Sequence, residues 1–130
     1  MILGIGTDLV EIPRIERALT RHGERFARRI LVPLEFERFA AHRKPAAYLA
    51  KRFAAKEAFS KAMGTGIHFP VNWQNVSVAN LPSGRPCLRF SEMLALLLET
   101  RGIREAHLSL TDEREVAAAF VILEGARDAG

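Results

Sequence analysis

The hydrophobic periodicity of the chain changes near Gly64-Thr-Gly66, and this change constrains the fold more than any other feature. Between Pro13 and Met63 apolar residues recur every three or four positions, as amphipathic helices require. After Trp73 they mostly alternate with polar residues, as half-buried strands require. The sequence therefore predicts an α+β fold, in which an antiparallel sheet carries one long helix and several shorter helices.

Proline, glycine and capping residues set the expected boundaries of these elements. The elements predicted are a strand ending at Asp8, helices over 13–22, 24–30, 33–42, 46–63 and 91–101, and strands over 73–79, 87–90, 106–111 and 116–123. The last of these stretches is almost wholly apolar, which is typical of a strand buried on both faces. The 130 residues, 48% hydrophobic and 26% charged, fit one compact domain over residues 1–130.

The long helix carries Glu57 and Lys61 four residues apart, so both side chains lie on one helical face. Glu57 also follows Phe53 by four residues, which puts its carboxylate beside apolar surface. A helix-stabilising Glu–Lys ion pair is the simpler interpretation of this spacing. Lys56 points about 100° away from Glu57 around the helix, so we expect a structural role for it rather than a place in the same site.

A second carboxylate, Asp8, follows the apolar residues of the first strand. Gly4 and Gly6 allow another main chain to approach this strand closely. Asp8 falls where the strand is predicted to end, a position from which carboxylates commonly face a cleft. The alternative is that Asp8 caps the helix that follows.

The formal net charge of +4 and the sequence pI near 9.8 indicate an acidic partner or a phosphorylated substrate. Five arginines recur at steps of three or four and form what we call the arginine stripe: Arg14, Arg17, Arg21, Arg25 and Arg28. A solvated basic face is the simpler interpretation. The chain has no helix-turn-helix, zinc or RNA-binding motif, so we expect an acidic protein surface rather than nucleic acid as the partner.

Two further expectations follow from composition. No apolar stretch is long enough for a signal peptide or a membrane span, so we expect no membrane association and a cytosolic location. Cys87 is the single cysteine and cannot form an internal disulfide, so we assign it no chemistry.

Three segments resemble, in the same order, the motifs of holo-[acyl-carrier-protein] synthases, the short class of 4'-phosphopantetheinyl transferases. They are Gly4-Ile-Gly-Thr-Asp8-Leu-Val-Glu-Ile12, then Arg52-Phe-Ala-Ala-Lys-Glu57-Ala-Phe-Ser-Lys61-Ala-Met-Gly-Thr-Gly-Ile67, then the run from His107 to Glu124. The resemblance implies transfer of the 4'-phosphopantetheine group of coenzyme A to a serine of apo acyl carrier protein. The products would be holo acyl carrier protein and 3',5'-ADP, in fatty-acid biosynthesis.

The same resemblance implies roles for particular residues. Asp8 and Glu57 would bind Mg²⁺, and Lys61 would join them as a catalytic residue by contacting the pyrophosphate. The serine proton would pass to Glu57 or to a water on the metal, and the sequence leaves this choice open. The residues expected to bind coenzyme A are Arg43, Lys44, Arg52, Lys61, Gly64, Gly66 and His107. For the two glycines, simple helix termination is an equal alternative.

The resemblance also implies partners. Arg14, Arg21 and Arg25 of the arginine stripe would contact the acidic acyl carrier protein. A single short copy of the family unit would assemble into a homotrimer, with His107 acting on the nucleotide bound by a neighbouring subunit.

Two other functions remain open on the residues alone. One is a different magnesium-dependent nucleotide or phosphate transferase that uses the same carboxylates. The other is a non-catalytic basic module, which has no need of two carboxylates beside a cationic cluster.

Overall fold

The computed structural model describes residues 1–127, so residues 128–130 of the expected domain lie outside the described residues. In chain order the elements are β1 (Ile2–Glu11), α1 (Ile12–His22), α2 (Glu24–Ile30), α3 (Pro33–Ala41), α4 (Pro45–Met63), β2 (Val76–Asn80), β3 (Pro86–Phe90), α5 (Glu92–Thr100), β4 (Ile103–Glu113) and β5 (Val116–Gly125). The predicted α+β class is confirmed.

Three strands form the main sheet in the order β1-β5-β4, with antiparallel pairing throughout, and β2 and β3 form a separate hairpin. The long helix α4 packs across one face of the main sheet. We call this face the inner sheet face. Asp8 pairs with Ala119 and His107 pairs with Ile122, so strand alternation puts Asp8 on the inner face and His107 on the opposite, outer face.

All five helices agree with the sequence prediction to within one or two residues, because their boundary signals are local. The Ser91 side chain accepts a hydrogen bond from Leu94 N at 3.2 Å and caps α5. Gly64 ends α4 with φ 77°. The strands were predicted less well, since β1 and β4 are longer than expected and β2 begins at Val76. Among residues 1–127, no helix is both long and apolar enough to span a membrane.

The prediction that the strand over 116–123 is buried on both faces is wrong for the single chain. Its inner face is buried, with Ala117, Ala119, Val121 and Leu123 at most 2% exposed. On the outer face Phe120 is 43% exposed, and the neighbouring strand exposes 58% of Ile5 and 71% of Leu9. The described elements therefore leave an apolar outer sheet face open to solvent.

The crossing of β1 over α4 depends on two glycines. A Cβ atom on Gly6 would overlap the carbonyl oxygen of Ala58, and one on Gly4 would overlap that of Ala62. Ala54, Ala58 and Ala62 lie four residues apart along α4 and are buried. Because small residues meet on both elements, the two main chains are in direct contact.

Lys56 is fully buried and joins four segments of the chain. Its ammonium donates to Ile30 O at 2.6 Å, to Glu35 Oε1 at 2.7 Å and to Trp73 O at 2.8 Å. Glu35 in turn accepts from Val32 N at 2.9 Å and from Val78 N at 2.8 Å. Burial lowers the pKa of Lys56, and the Glu35 carboxylate opposes this shift. The predicted structural role of Lys56 is confirmed.

Candidate active site

Asp8 lies within β1, three residues before its end, and faces α4. The predictions that it ends the strand or caps the next helix are wrong, because the β1–β5 ladder continues to the pair of Glu11 with Val116. Glu11 occupies the N-cap position of α1. The close glycine crossing brings the Asp8 carboxylate to the side of α4 that carries the second motif.

Lys61 reaches from α4 to β1. Its Nζ atom lies 3.1 Å from Asp8 Oδ1 and donates to Thr7 O at 3.2 Å. The Lys61 side chain remains 54% exposed, whereas that of Asp8 is 14% exposed. Residues 1–127 contain no ion pair between Glu57 and Lys61, so the interpretation of this spacing as a helix-stabilising pair is wrong. The ammonium is held at the mouth of the site, where a ligand can reach it.

Glu57 lies half-buried beside Asp8. Burial raises the pKa of the Glu57 carboxyl above its ordinary value, and the negative charge of Asp8 raises it further. The positive charges of Lys61 and Arg14 act in the opposite direction. The pKa of Glu57 thus responds to the charges of side chains on three elements, β1, α4 and α1.

The second oxygen of Asp8 is one that a bound cation would satisfy. Asp8 Oδ2 is buried and has no hydrogen-bond partner among residues 1–127, although buried carboxylate oxygens nearly always have one. Glu57 adds a carboxylate whose pKa is raised partly by Asp8. Carboxylate oxygens are the ligands that Mg²⁺ prefers, so a divalent cation would satisfy the unpaired oxygen and relieve the repulsion. The donor set fits magnesium.

Gly64 and Gly66 form the turn that ends α4, with φ angles of 77° and 63°. Gly64 N donates to Lys61 O at 3.0 Å, and Gly66 N donates to Ser60 O at 3.2 Å. Both amide groups are thus engaged with the end of the helix. This favours helix termination over phosphate binding, which remains a prediction for these two residues.

Of the cations expected to bind coenzyme A, Lys61 lies at the carboxylates, whereas Arg43, Lys44 and Arg52 lie elsewhere in the same chain. Arg43 and Lys44 are exposed before α4, and Lys44 lies about 20 Å from Glu57 along the helix axis. Arg52 is 7% exposed, with its guanidinium carbon 4.0 Å from the centre of the Tyr48 ring. It points about 140° away from Glu57 around the helix. Their contact with the nucleotide remains a prediction.

His107 lies on the outer sheet face, on the side of the sheet away from Asp8. Its Nε2 atom is 3.0 Å from Glu124 Oε1 and 3.5 Å from Glu105 Oε2. Within one chain His107 therefore cannot reach the carboxylate site on the inner face.

The arginine stripe follows the exposed side of α1 and α2. Gly23, with φ 62°, divides it, so Arg14, Arg17 and Arg21 lie on α1 while Arg25 and Arg28 lie on α2. A groove with a volume of about 630 Å³ lies between the two helices, and its lining residues are Ala18, Arg21, His22, Arg25, Phe26 and Arg29. Arg28 is held by Glu24 at 3.7 Å and by the ring of Phe36. The stripe begins at Arg14, whose positive charge acts to lower the pKa of Glu57.

Several of these residues were not found from the sequence. Glu105 precedes His107 by two positions, so strand alternation could have placed both on one face. Glu124 becomes its neighbour only through the β4–β5 register, and no sequence pattern fixes that register. The proximity of Arg14 to Glu57 likewise depends on how α1 packs against α4.

Comparison with known proteins identifies the family. A family model described as the 4'-phosphopantetheinyl transferase superfamily matches residues 4–121. The chain belongs to this superfamily. Among curated members of the superfamily, the holo-[acyl-carrier-protein] synthase of Nitrosospira multiformis is 52% identical over 124 residues, which cover 95% of this chain and 99% of that protein.

Solved structures of superfamily members share the fold. The holo-[acyl-carrier-protein] synthase of Neisseria meningitidis superposes with a TM-score of 0.93 at 46% identity, covering 95% of this chain and 99% of the other. That of Bacillus anthracis, a complex with coenzyme A (3',5'-ADP), gives a TM-score of 0.81 at 37% identity over 97% and 99% of the two chains. Members with this fold thus include one solved with the nucleotide bound.

Proposed function

We propose that this protein is a holo-[acyl-carrier-protein] synthase, which transfers the 4'-phosphopantetheine group of coenzyme A to a serine of apo acyl carrier protein in fatty-acid biosynthesis. The observation that carries this proposal is the meeting of Asp8, Glu57 and Lys61 at the β1–α4 crossing. Full-length similarity to relatives that bear this name supports it. The cytosolic location expected from the sequence remains a prediction.

The reaction exchanges one phosphorus–oxygen bond for another. The serine hydroxyl oxygen forms a bond to the phosphorus that carries pantetheine, and the bridging bond of the pyrophosphate breaks. The leaving group departs as 3',5'-ADP with the bonding electron pair. Catalysis therefore requires neutralisation of the phosphate oxygens, alignment of the attacking oxygen and acceptance of one proton.

Asp8 and Glu57 would hold Mg²⁺, which supplies positive charge to the pyrophosphate oxygens. Lys61 is fixed by Asp8 and by Thr7 O, and its exposed ammonium stabilises the negative charge of the departing group. Glu57, or a water that the metal would hold, accepts the serine proton.

The outer sheet face is the surface we assign to self-association. Ile5, Leu9 and Phe120 expose apolar side chains on adjacent strands, and contiguous apolar patches usually mark interfaces. A homotrimer covers this face and carries His107 toward the nucleotide of a neighbouring subunit. It also lets one subunit supply cations that lie far from its own carboxylates.

The arginine stripe is the surface we assign to the acyl carrier protein. The charge of Arg14 acts to lower the pKa of Glu57, and Arg21 and Arg25 line the groove between α1 and α2. An acidic helix docked along this groove would therefore bring its serine toward the carboxylate site. Such charge complementarity acts mainly on the rate of encounter and is screened by salt.

Mass spectrometry tests the proposed function directly. Apo acyl carrier protein, incubated with coenzyme A, Mg²⁺ and the enzyme, should gain the mass of one phosphopantetheine group on serine. Asp8→Ala and Glu57→Ala should each lower the rate by at least about 10²-fold, since both remove a ligand of the metal. Glu37→Ala, at an exposed carboxylate of α3, is the matched control and should keep the wild-type rate. An unmodified carrier protein in the presence of folded wild-type enzyme would refute the proposal.

A further inference from the structure

The carboxylates of Glu105 and Glu124 both lie close to the Nε2 atom of His107. Glu105 and Glu124 are cross-strand partners, and His107 follows Glu105 by two residues on the same face. Nε2 of His107 lies 3.0 Å from Glu124 Oε1 and 3.5 Å from Glu105 Oε2. In the single chain the three side chains are 38–66% exposed, so groups of a neighbouring subunit can reach the cluster.

The hydrogen bond between His107 and Glu124 determines which ring nitrogen carries a proton. Ionised carboxylates only accept hydrogen bonds, so Nε2 must carry the proton that Glu124 receives. Nδ1 has no hydrogen-bond partner among residues 1–127. It therefore acts as a hydrogen-bond donor only when the ring takes a second proton and becomes an imidazolium. An anion that approaches Nδ1 meets a donor in that state alone.

We propose that Glu124, assisted by Glu105, is a positioning residue that holds His107 through Nε2 and presents Nδ1–H of the imidazolium to a phosphate group of coenzyme A bound by a neighbouring subunit. This inference rests on the proposed function and deepens it. Glu124 itself does not contact the substrate; it acts through His107.

The electrostatics of the cluster support this arrangement. The hydrogen bond from His107 holds the pKa of Glu124 below its ordinary value, so Glu124 stays ionised. The N-terminal amine of Met1 and Arg127 also act on Glu124, and Glu105 is the other charged neighbour of the ring.

The same three side chains could in principle bind a transition metal, since their ligand atoms lie within 4.8 Å of one another. The short bond between Nε2 and Glu124 already pairs the nitrogen that a metal would need. The geometry therefore favours a hydrogen-bonded ring over a metal centre, and Zn²⁺ serves as the probe for the alternative.

The decisive variant is Glu124→Gln, which keeps the shape and one acceptor but removes the charge. We expect KM for coenzyme A to rise about threefold to fivefold near neutral pH while kcat changes little, as loss of an exposed charged contact would give. The pH at which KM begins to rise should move lower. The His107→Ala/Glu124→Gln double variant should match His107→Ala alone, because Glu124 acts through the ring.

Glu37→Gln is the matched control, because it removes an exposed carboxylate charge from α3, away from the outer sheet face. It should leave both KM and the pH profile unchanged. Additive effects in the double variant, or an unchanged KM and pH profile in Glu124→Gln, would overturn the proposal. So would tight Zn²⁺ binding that depends on Glu124.

Two measurements separate this proposal from the proposed function. Nitrogen-15 NMR should show a proton on Nε2 of His107 in the wild-type protein, with that preference lost in Glu124→Ala. Calorimetry should show weaker binding of coenzyme A to Glu124→Gln without any carrier protein present. If the wild-type protein does not transfer phosphopantetheine, the proposed function is refuted. The NMR and calorimetry results still decide the role of Glu124 in that case.

Discussion

Glu57 holds a negative charge partly out of water and next to another carboxylate. Its pKa is raised, so between the ordinary value of 4.5 and the raised value the folded chain binds more protons than the unfolded chain. The contribution of this group to stability is therefore greatest at low pH and is lost as the pH rises through the raised pKa. The metal-free protein is therefore less stable at neutral pH because of a residue that we assign to the active site.

Glu57→Gln should therefore stabilise the metal-free protein. We expect its Tm at pH 7–8 to exceed that of the wild type by about 1–3 °C, a modest figure because solvent screens a half-exposed group. The difference should vanish near about pH 4, and Mg²⁺ should raise the Tm of the wild type alone. Thermal unfolding followed by circular dichroism with and without Mg²⁺ tests this. A variant less stable than the wild type at pH 8 would contradict it.

The sequence predicts the residues of the site better than their contacts. Asp8, Glu57 and Lys61 are recognised from their motifs, and the helical spacing puts the last two on one face. The spacing suggests that Lys61 pairs with Glu57, yet the lysine pairs with Asp8. That choice depends on where β1 crosses α4, and no local pattern encodes the position of a crossing.

Secondary-structure elements are tied together by the Lys56–Glu35 pair. It links α4 to the end of α2, to the start of α3 and to the loop that precedes β2. All three ammonium hydrogens have acceptors, so the buried charge is fully compensated. Removing one partner leaves the other charge buried without compensation.

Lys56→Met should destabilise the protein by about 3–5 kcal/mol. Lys51→Met is the matched control, because Lys51 lies on the same helix in a more exposed ion pair with Asp112, and its loss should cost about 1 kcal/mol or less. Adding Glu35→Gln to Lys56→Met should recover part of the loss, since no unpaired charge then remains. Urea unfolding measures all three. Equal costs for the two lysines would show that the buried pair does not join the elements.

Gly6→Ala should disturb the crossing of β1 and α4. The new Cβ overlaps the carbonyl oxygen of Ala58, so the strand must move away from the helix and carry Asp8 with it. A shift of about 1 Å can lower activity on the order of 10²-fold. Ala58→Gly should not rescue the variant, because the overlap is with main-chain atoms. Transfer rates and circular dichroism test this, and a fully active Gly6→Ala variant would contradict it.

Helices were easier to predict than strands for a physical reason. Their ends are set by neighbouring residues such as Ser91 and Gly64, whereas strand ends depend on a partner strand. The ladder between β1 and β5 carries β1 to Glu11, three residues beyond the predicted end at Asp8. The late start of β2 likewise follows packing, since Trp73 stacks on Phe53 at 5.2 Å instead of joining the strand.

At the scale of the whole molecule, the outer sheet face exposes apolar side chains on adjacent strands, among them Leu9 and Phe120. A cavity of about 680 Å³ opens on it beside the β4–β5 hairpin, with Leu9, Val116 and Ala118 among its lining residues. The apolar composition of β5 predicts burial that a single chain does not supply. This pattern would fit a strand whose outer face is covered in the homotrimer that we propose.

Leu9→Glu should therefore separate the subunits and lower activity at least about tenfold, because a buried unpaired charge is costly in an interface. Leu96→Glu is the matched control, since Leu96 is a leucine of comparable exposure, 64% against 71%, on α5. It should keep both assembly and activity. Sedimentation velocity at the assay concentration tests the first point. A fully active monomer would refute the shared site, and an intact Leu9→Glu oligomer would refute the assigned face.

The glycine contact between β1 and α4 has a consequence for protein engineering. Main-chain atoms are in contact there, so the two glycines allow a close approach of strand and helix that no side chain separates. We therefore expect exchanges of Leu49 and Val121 for other apolar residues of similar volume to change stability more than the position of Asp8. Libraries that vary the core while keeping Gly4 and Gly6 test this expectation.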